Sequence, residues 1–361
     1  MALPSAAASF VANAACFGAL RCAKVTSAVA EGGAKYIGTH NGTFHCDEAL
    51  AVSLLKLLPA FAAHDVLRTR DAAKLMLCEA VVDVGGEYDH AARRYDHHQK
   101  SFDGVFGGDR TTKLSSAGLV YKHYGREIIQ VLAGATQLDE DTLELLHKKV
   151  YKNFIEHIDG IDNGVDVSSS GGPLNYHITT TLSNRVGYLN PGWNEDQSEA
   201  AVNRQFQQAM FLTVTEFADN VLTLVNSWLP ARSIVEAAVQ ARFQTHASGE
   251  VVYLPQYCPW KSHLADVEEK LLIQDQVKFV LYNDTTGNMV RVQGINVDSS
   301  SFALRQALAQ PWRGLRDEEL STVSGIAGCT FVHAGGFIGG NRTFDGALQM
   351  AVKSLPSATD A

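Results

Sequence analysis

The chain has 361 residues, of which 46% are apolar and 19% charged, and a formal net charge of −9. That length exceeds one ordinary core and suits a globular protein of two domains. The acidic balance excludes a protein that coats nucleic acid through a global positive field, and no apolar run approaches the ~20 residues that span a bilayer.

Residues 1–34 read as an N-terminal extension. Up to Ala30 they are rich in Ala and Ser, carry Arg21 and Lys24, and contain no Asp or Glu. This bias matches an organelle transit peptide, mitochondrial in the first instance. A plain disordered extension is the alternative, with the nucleus or cytoplasm as the location. Six scattered cysteines (Cys16, Cys22, Cys46, Cys78, Cys258, Cys329) form no Cys-x-x-Cys pair. They argue against a disulfide scaffold or zinc site and for a reducing compartment.

From Lys35 the pattern alternates strand and helix. Residues 35–38 read as a strand, and Leu50, Leu54, Leu55 and Leu58 recur at helical spacing until Pro59. Ala80 to Val84, closed by Gly85 and Gly86, reads as a buried strand. Ser115 and Ser116 open a helix with Leu119, Val120 and Tyr124 on its apolar face and Gly125 as its stop. A long helical pattern covers Asp139 to Ile158. A polar stretch from Asn190 through Pro191, Gly192 and Trp193 to Asp196 interrupts the order, and a helical run from Ser198 to Leu229 ends at Pro230. Strand-like runs follow at 251–254 and 277–281. The expectation is an α/β protein with a parallel sheet covered on both faces. Its domains would be 35–190 and a smaller α/β domain with a helical connector at 198–355.

Four clusters carry chemistry. His40, His45, Asp47 and Glu48 fall at one strand-to-helix turn, and Asp83 ends the next buried strand. Asp96, His97 and His98 are consecutive, and Asp159 and Asp162 close a helix. Each has a bland reading: Asp83 as a strand-end cap, Asp159 and Asp162 as turn formers before Asn163 and Gly164. Together they concentrate carboxylates and imidazoles at element ends, which is costly unless cations compensate the charge. The carboxyl edge of an open α/β sheet is where ligands bind.

This ordered set resembles the DHH phosphoesterase superfamily. The runs Thr39–Glu48, Tyr95–Gln99 and Ile161–Gly164, with Pro311–Glu318 and Phe331–Gly340, look like the melanocyte-proliferating-gene family of DHH-type exonucleases. The resemblance extends from about Tyr36 to about Ser354. It implies a DHH-type catalytic domain with a two-metal centre, usually Mn²⁺, with Mg²⁺ possible for a donor set of oxygen and imidazole. One ion would be held by His40, His45 and Asp83. The other would be held by Asp47, Asp83, His97 and either Asp159 or Asp162, with Asp83 bridging. Asp96 would orient the imidazole beside it, and His98 would face the scissile phosphate. Most superfamily members carry a carboxylate where His45 stands; the closer family keeps histidine.

The resemblance also implies a substrate loop in the second domain: His333, Gly335, Gly336, Gly339, Gly340 and Arg342. Asn341 stands there in place of an expected histidine. Arg313 and Arg316 are further candidate phosphate contacts or, with Asp317 and Glu318, the start of a surface helix; Trp260 reads first as a core tryptophan and second as a base-stacking residue. The expected function is a 3′-5′ exonuclease acting on short or single-stranded 3′ ends of RNA. A pyrophosphatase or small-nucleotide phosphoesterase of the same type is one alternative, and a metal-stabilised regulatory module without turnover another. Oligomeric state is not legible in the sequence.

Overall fold

A computed structural model describes residues 23–30, 33–168, 176–284, 286–298 and 301–356, together with Gly18. The transit-peptide expectation for residues 1–34 therefore falls largely outside the described residues. The chain forms two compact units, Met1–Val225 and Asn226–Ala361.

The first unit is built on a six-stranded sheet: β1 (Val25–Thr26), β2 (Tyr36–Thr39), β3 (Asp65–Arg68), β4 (Ala80–Val82), β5 (Tyr88–Asp89) and β6 (Arg94–Tyr95), in the order β1-β3-β2-β4-β6-β5. All neighbours are parallel except the edge pair β5 and β6. After β3 the chain returns to the other side of β2 to form β4. The loops that follow β2 and β4 therefore lie side by side, where the strand order reverses.

The helix α1 (Cys46–Leu57) is buried along its whole length. It packs between α3 (Ser116–Ala133) and the long helix α7 (Glu199–Thr223). The opposite sheet face carries the short helix α2 (Ala72–Leu75), where Leu75 and Cys78 meet Tyr36, Leu67 and Val81. Because α7 packs on α1, the division into units falls beyond the polar stretch at 190–196, after the helix rather than before it.

Two helix ends differ from expectation. Gly125 does not stop α3, which runs on to Ala133; a Cβ at Gly125 would lie 2.8 Å from the His147 ring of α4 (Glu140–Val150). The glycine permits close helix packing there instead of terminating a helix. Pro230 likewise ends nothing. It sits in the first turn of α8 (Leu229–Gln240), where its missing N–H has no intrahelical partner to lose. From α4 the chain stays helical through a π-helical turn (Tyr151–Ile155) into α5 (Glu156–Asp162). The helix α6 (Leu182–Gly187) leads to the polar stretch.

The second unit follows α8 with a short α9 (Arg242–Thr245), β7 (Val251–Leu254), α10 (Lys261–Leu271), β8 (Phe279–Asp284) and β9 (Met289–Gly294). Then come α11 (Asp317–Ser324), β10 (Cys329–Val332), β11 (Ile338–Asn341) and α12 (Phe344–Val352). Its sheet, in the order β10-β11-β9-β8-β7, is mixed, with only β7 and β8 parallel. Alternate residues serve opposite cores. Val252, Leu254 and Val280 join the helix α10 side, whereas Val251, Phe279 and Leu281 join Leu320 and Met350. No described helix is long and apolar enough to cross a membrane. Cys46, Cys78, Cys258 and Cys329 are free and buried.

Candidate metal centre

Both loops at the strand-order reversal carry site residues. β2 delivers His40, and β4 delivers Asp83, which adopts the left-handed conformation (φ 57°) rarely taken by a residue with a side chain. α1 then contributes Asp47 and Glu48 from its first turn, with His45 as its N-cap. Glu48 accepts hydrogen bonds from the His45 backbone N–H at 2.8 and 3.0 Å, and its Oε1 lies 3.0 Å from His40 Nε2. His40 Nε2 is also 3.3 Å from Asp83.

Three groups of ligating atoms, each lying within 4.8 Å of one another, occur among the described residues. They are His40, His45, Glu48 and Asp83; Asp83, Asp96, His97 and His98; and Asp47, His97 and Asp162. Asp83 joins the first two and His97 the last two. The structure thus gathers His40, His45, Asp47, Asp83, His97 and Asp162 at one edge of the sheet.

Asp159 is elsewhere in this network. Its Oδ1 accepts from Ser115 N–H at 3.0 Å and Ser115 Oγ at 2.7 Å, and its Oδ2 accepts from Tyr151 OH at 3.1 Å. Both oxygens are committed to protein donors, and burial pushes the carboxyl up to about 7. A Cβ at Gly118 would lie 2.4 Å from these oxygens, so α3 needs glycine at that point. Asp162, one turn on, has its Oδ2 2.9 Å from His97 Nε2.

Asp96 engages His98 rather than His97. Its Oδ1 lies 2.7 Å from His98 Nδ1 and accepts from His98 N–H, while Gly86 N–H donates to Oδ2 at 2.6 Å. Against the cost of burial, the bonds from His98 and Gly86 hold this carboxyl below its usual range. His98 is exposed and lines a pocket of about 420 Å³ with Asp47, Asp83 and Asp162.

The donor set fits divalent cations. Asp47 Oδ1, Asp83 Oδ1 and His97 Nδ1 are buried without a hydrogen-bond partner, an expensive condition unless another acceptor of their lone pairs is bound. Burial, reinforced by neighbouring carboxylates, raises Asp47 well above the ordinary carboxyl range, and burial raises Asp83. Burial alone would lower His40, but contacts with Asp83 and Glu48 outweigh it and lift the imidazole to about 10. The cluster holds more negative charge than its own side chains neutralise. Oxygen and imidazole donors without thiolate suit Mn²⁺ or Mg²⁺.

Glu48, read from the sequence as part of the first cluster, also occupies the N3 position of a capping box. Other supporting residues carried no legible signal. Ser116 Oγ donates to Asp47 Oδ2 at 2.8 Å, a contact between residues far apart in sequence. Arg68, buried between the Phe44 and Phe206 rings, donates to Gly42 O at 2.8 Å and so ties down the turn carrying His40 and His45. Asn190, the first residue of the polar stretch, brackets Phe44, accepting from its N–H at 3.0 Å and donating to its carbonyl at 2.9 Å.

In the second unit the Gly-rich run forms a hairpin. Gly339 and Gly340 lie in β11, where a Cβ would meet Phe331 O at 2.9 Å or Thr330 Oγ1 at 2.8 Å; their absent side chains admit neighbouring protein. His333, Gly335 and Gly336 lie in the turn, with Gly335 N–H donating to His333 Nδ1 at 3.0 Å and Gly336 at positive φ against Arg313. Arg342 follows β11, and Asn341 is buried, donating to Ala327 O. Trp260 is buried in the core below β7, which leaves it no face for a base.

These features define an α/β protein with a carboxylate and imidazole cluster, able to hold metal ions, at the carboxyl edge of its sheet. Residues 36–355 match the family model MYG1_exonuc, described as an uncharacterised protein family (UPF0160), and the chain belongs to that family. It is similar to the MYG1 protein of Dictyostelium discoideum, 47% identical over 319 residues, which cover 88% of this chain and 96% of that protein. It is 48% identical over 325 residues to the MYG1 exonuclease of Mus musculus and to that of Homo sapiens, covering 88% of this chain and 84% and 85% of theirs. No solved structure matches. Relatives carrying the name exonuclease at this identity support a nuclease-type hydrolytic function.

Proposed function

We propose that this protein is a metal-dependent phosphodiester hydrolase of the DHH type that removes nucleotides from the 3′ end of RNA. The observation that carries the reading is the gathering of two carboxylate and imidazole groups around Asp83, with three buried ligating atoms left unpartnered. His40, His45 and Asp83 would hold one ion, with Glu48 beside them; Asp47, His97 and Asp162 would hold the other, with Asp83 shared. Two such ions, Mn²⁺ by preference and Mg²⁺ as the alternative, supply charge neutralisation at the phosphoryl oxygens and an acidified water.

The chain's own groups account for the rest. A water oxygen attacks phosphorus in line, the P–O3′ bond breaks, and the proton given up by water ends on the departing 3′ oxygen. The products are a nucleoside 5′-monophosphate and a shortened RNA. Asp96 fixes the ring of His98 through Nδ1, and the exposed ring lines the pocket beside Asp47, Asp83 and Asp162, where it can contact the phosphate oxygens. Phe44, Ile158 and Ile161 line the same pocket. An apolar wall suits a nucleoside and offers nothing to pyrophosphate, which favours a nuclease over a pyrophosphatase.

The test is purified protein with Mn²⁺ and end-labelled RNA, DNA, a dinucleotide and pyrophosphate. The expected result is stepwise shortening of RNA from the 3′ end, lost on chelation and restored by Mn²⁺. Undiminished hydrolysis after metal stripping, or exclusive cleavage of pyrophosphate, overturns the proposal.

A further inference from the structure

Trp193 is 94% exposed and Tyr188 73% exposed. Each forgoes the stabilisation that its burial would bring. The other three tryptophans, Trp228, Trp260 and Trp312, are buried.

The loop that carries Trp193 is held by its own side chains. Glu195 accepts from Gly192 N–H at 2.7 Å, and Gln197 Nε2 donates to Gly192 O at 2.6 Å. Asp196 accepts from Ser198 N–H at 2.8 Å, and Ser198 in turn caps α7. The loop is also fastened to the candidate centre. Asn190 bonds both backbone polar groups of Phe44, and Phe44 lines the pocket with Ser183, Asn184 and Gly187 of α6. Tyr188 directly follows Gly187. Trp193 is three residues from Asn190, a chain reach of at most about 11 Å. A braced loop thus carries a bare indole within a few residues of groups that line the pocket.

We infer that Trp193 and Tyr188 form a stacking shelf for nucleobases of a single-stranded substrate, next to the pocket that takes its terminal nucleotide. The inference rests on the nuclease reading above and deepens it. Glu195 and Asp196 follow Trp193 in the same loop, which holds no Lys or Arg, so the shelf offers ring faces and no cation for phosphate. Its contribution is therefore insensitive to base identity and nearly independent of salt, unlike that of a basic groove. The brace keeps the loop backbone in place beforehand, so less ordering entropy is lost on binding.

Trp193 is the only exposed tryptophan, so the part of the emission lost in Trp193→Ala reports the shelf. The probe is a short phosphorothioate oligonucleotide, which resists hydrolysis, compared with an abasic strand of equal length. The expected result is quenching by the first and not by the second. Trp193→Ala should weaken binding about ten-fold at low and at high salt, and Trp193→Phe should recover most of it. In turnover, Trp193→Ala should lose more on long RNA than on a dinucleotide. Equal affinity of wild type and Trp193→Ala, or equal quenching by the abasic strand, overturns the shelf. Emission that shifts with protein concentration alone assigns Trp193 to a contact between copies and overturns it too. Failure of the nuclease reading registers separately, as absence of hydrolysis of any natural oligonucleotide by the wild type.

Discussion

Ser115 binds Asp159 twice, through its backbone N–H at 3.0 Å and its hydroxyl at 2.7 Å, at the point where α3 begins. Asp159 therefore acts as the anchor of that helix start, and the following Ser116 reaches Asp47 from the same turn. Asp162, whose carboxylate points to His97, is left to face the cluster.

The two aspartates should separate experimentally. Asp162→Asn is expected to reduce bound Mn²⁺ and to cut turnover by at least about 100-fold while leaving the melting temperature nearly unchanged. Asp159→Ala is expected to destabilise the fold by about 2 kcal/mol or more, because it leaves the buried Ser115 and Tyr151 donors unpaired. Metal stoichiometry beside thermal denaturation of both variants checks the assignment. A normal metal content in Asp162→Asn would remove it from the ligands.

The clasp of Asn190 on Phe44 predicts a different pattern. Asn190→Ala leaves the N–H and carbonyl of Phe44 without their partner and frees the turn between His40 and His45. Mn²⁺ affinity should fall about 10-fold, the range seen when groups that orient ligands are removed. Asn190→Asp keeps the acceptor for Phe44 N–H but loses the donor, and should fall in between. A Mn²⁺ titration followed by kinetics at saturating metal distinguishes the cases: a positioning defect is largely corrected by excess metal, whereas loss of a ligand is not.

Glu79 supplies a pH test away from the centre. The hydrogen bond from buried His64, with those from Lys35 and Arg93, holds its carboxyl down to about 2. A carboxyl depressed in the folded state adds stability above its ordinary value, and that stability is lost as pH falls towards the folded value. Glu79→Gln should lower the melting temperature by about 2 °C near pH 7. The gap between wild type and variant should close between about pH 4.5 and about pH 2. Melting curves over that range decide it; a gap that stays constant would mean that Glu79 contributes nothing through its charge.

The sequence alone determined the local elements and the inventory of chemical groups. The strands at Tyr36 and Ala80, the helix after Cys46 and the four clusters of His and Asp follow from period, caps and turn residues, all of which act within a few residues. Ends decided by packing were not legible. Gly125 looks like a stop until His147 is found against it, and Pro230 looks like a terminator until it proves to start the next helix. The same limit applies to the centre. Asp159 and Asp162 are equivalent as letters, and only the fold, by bringing Ser115 and Tyr151 to one of them and His97 to the other, gives them different work. Asn190 read as part of a polar connector for the same reason: its partner Phe44 lies 146 positions away, and a hydrogen bond over that separation exists only once the chain has folded.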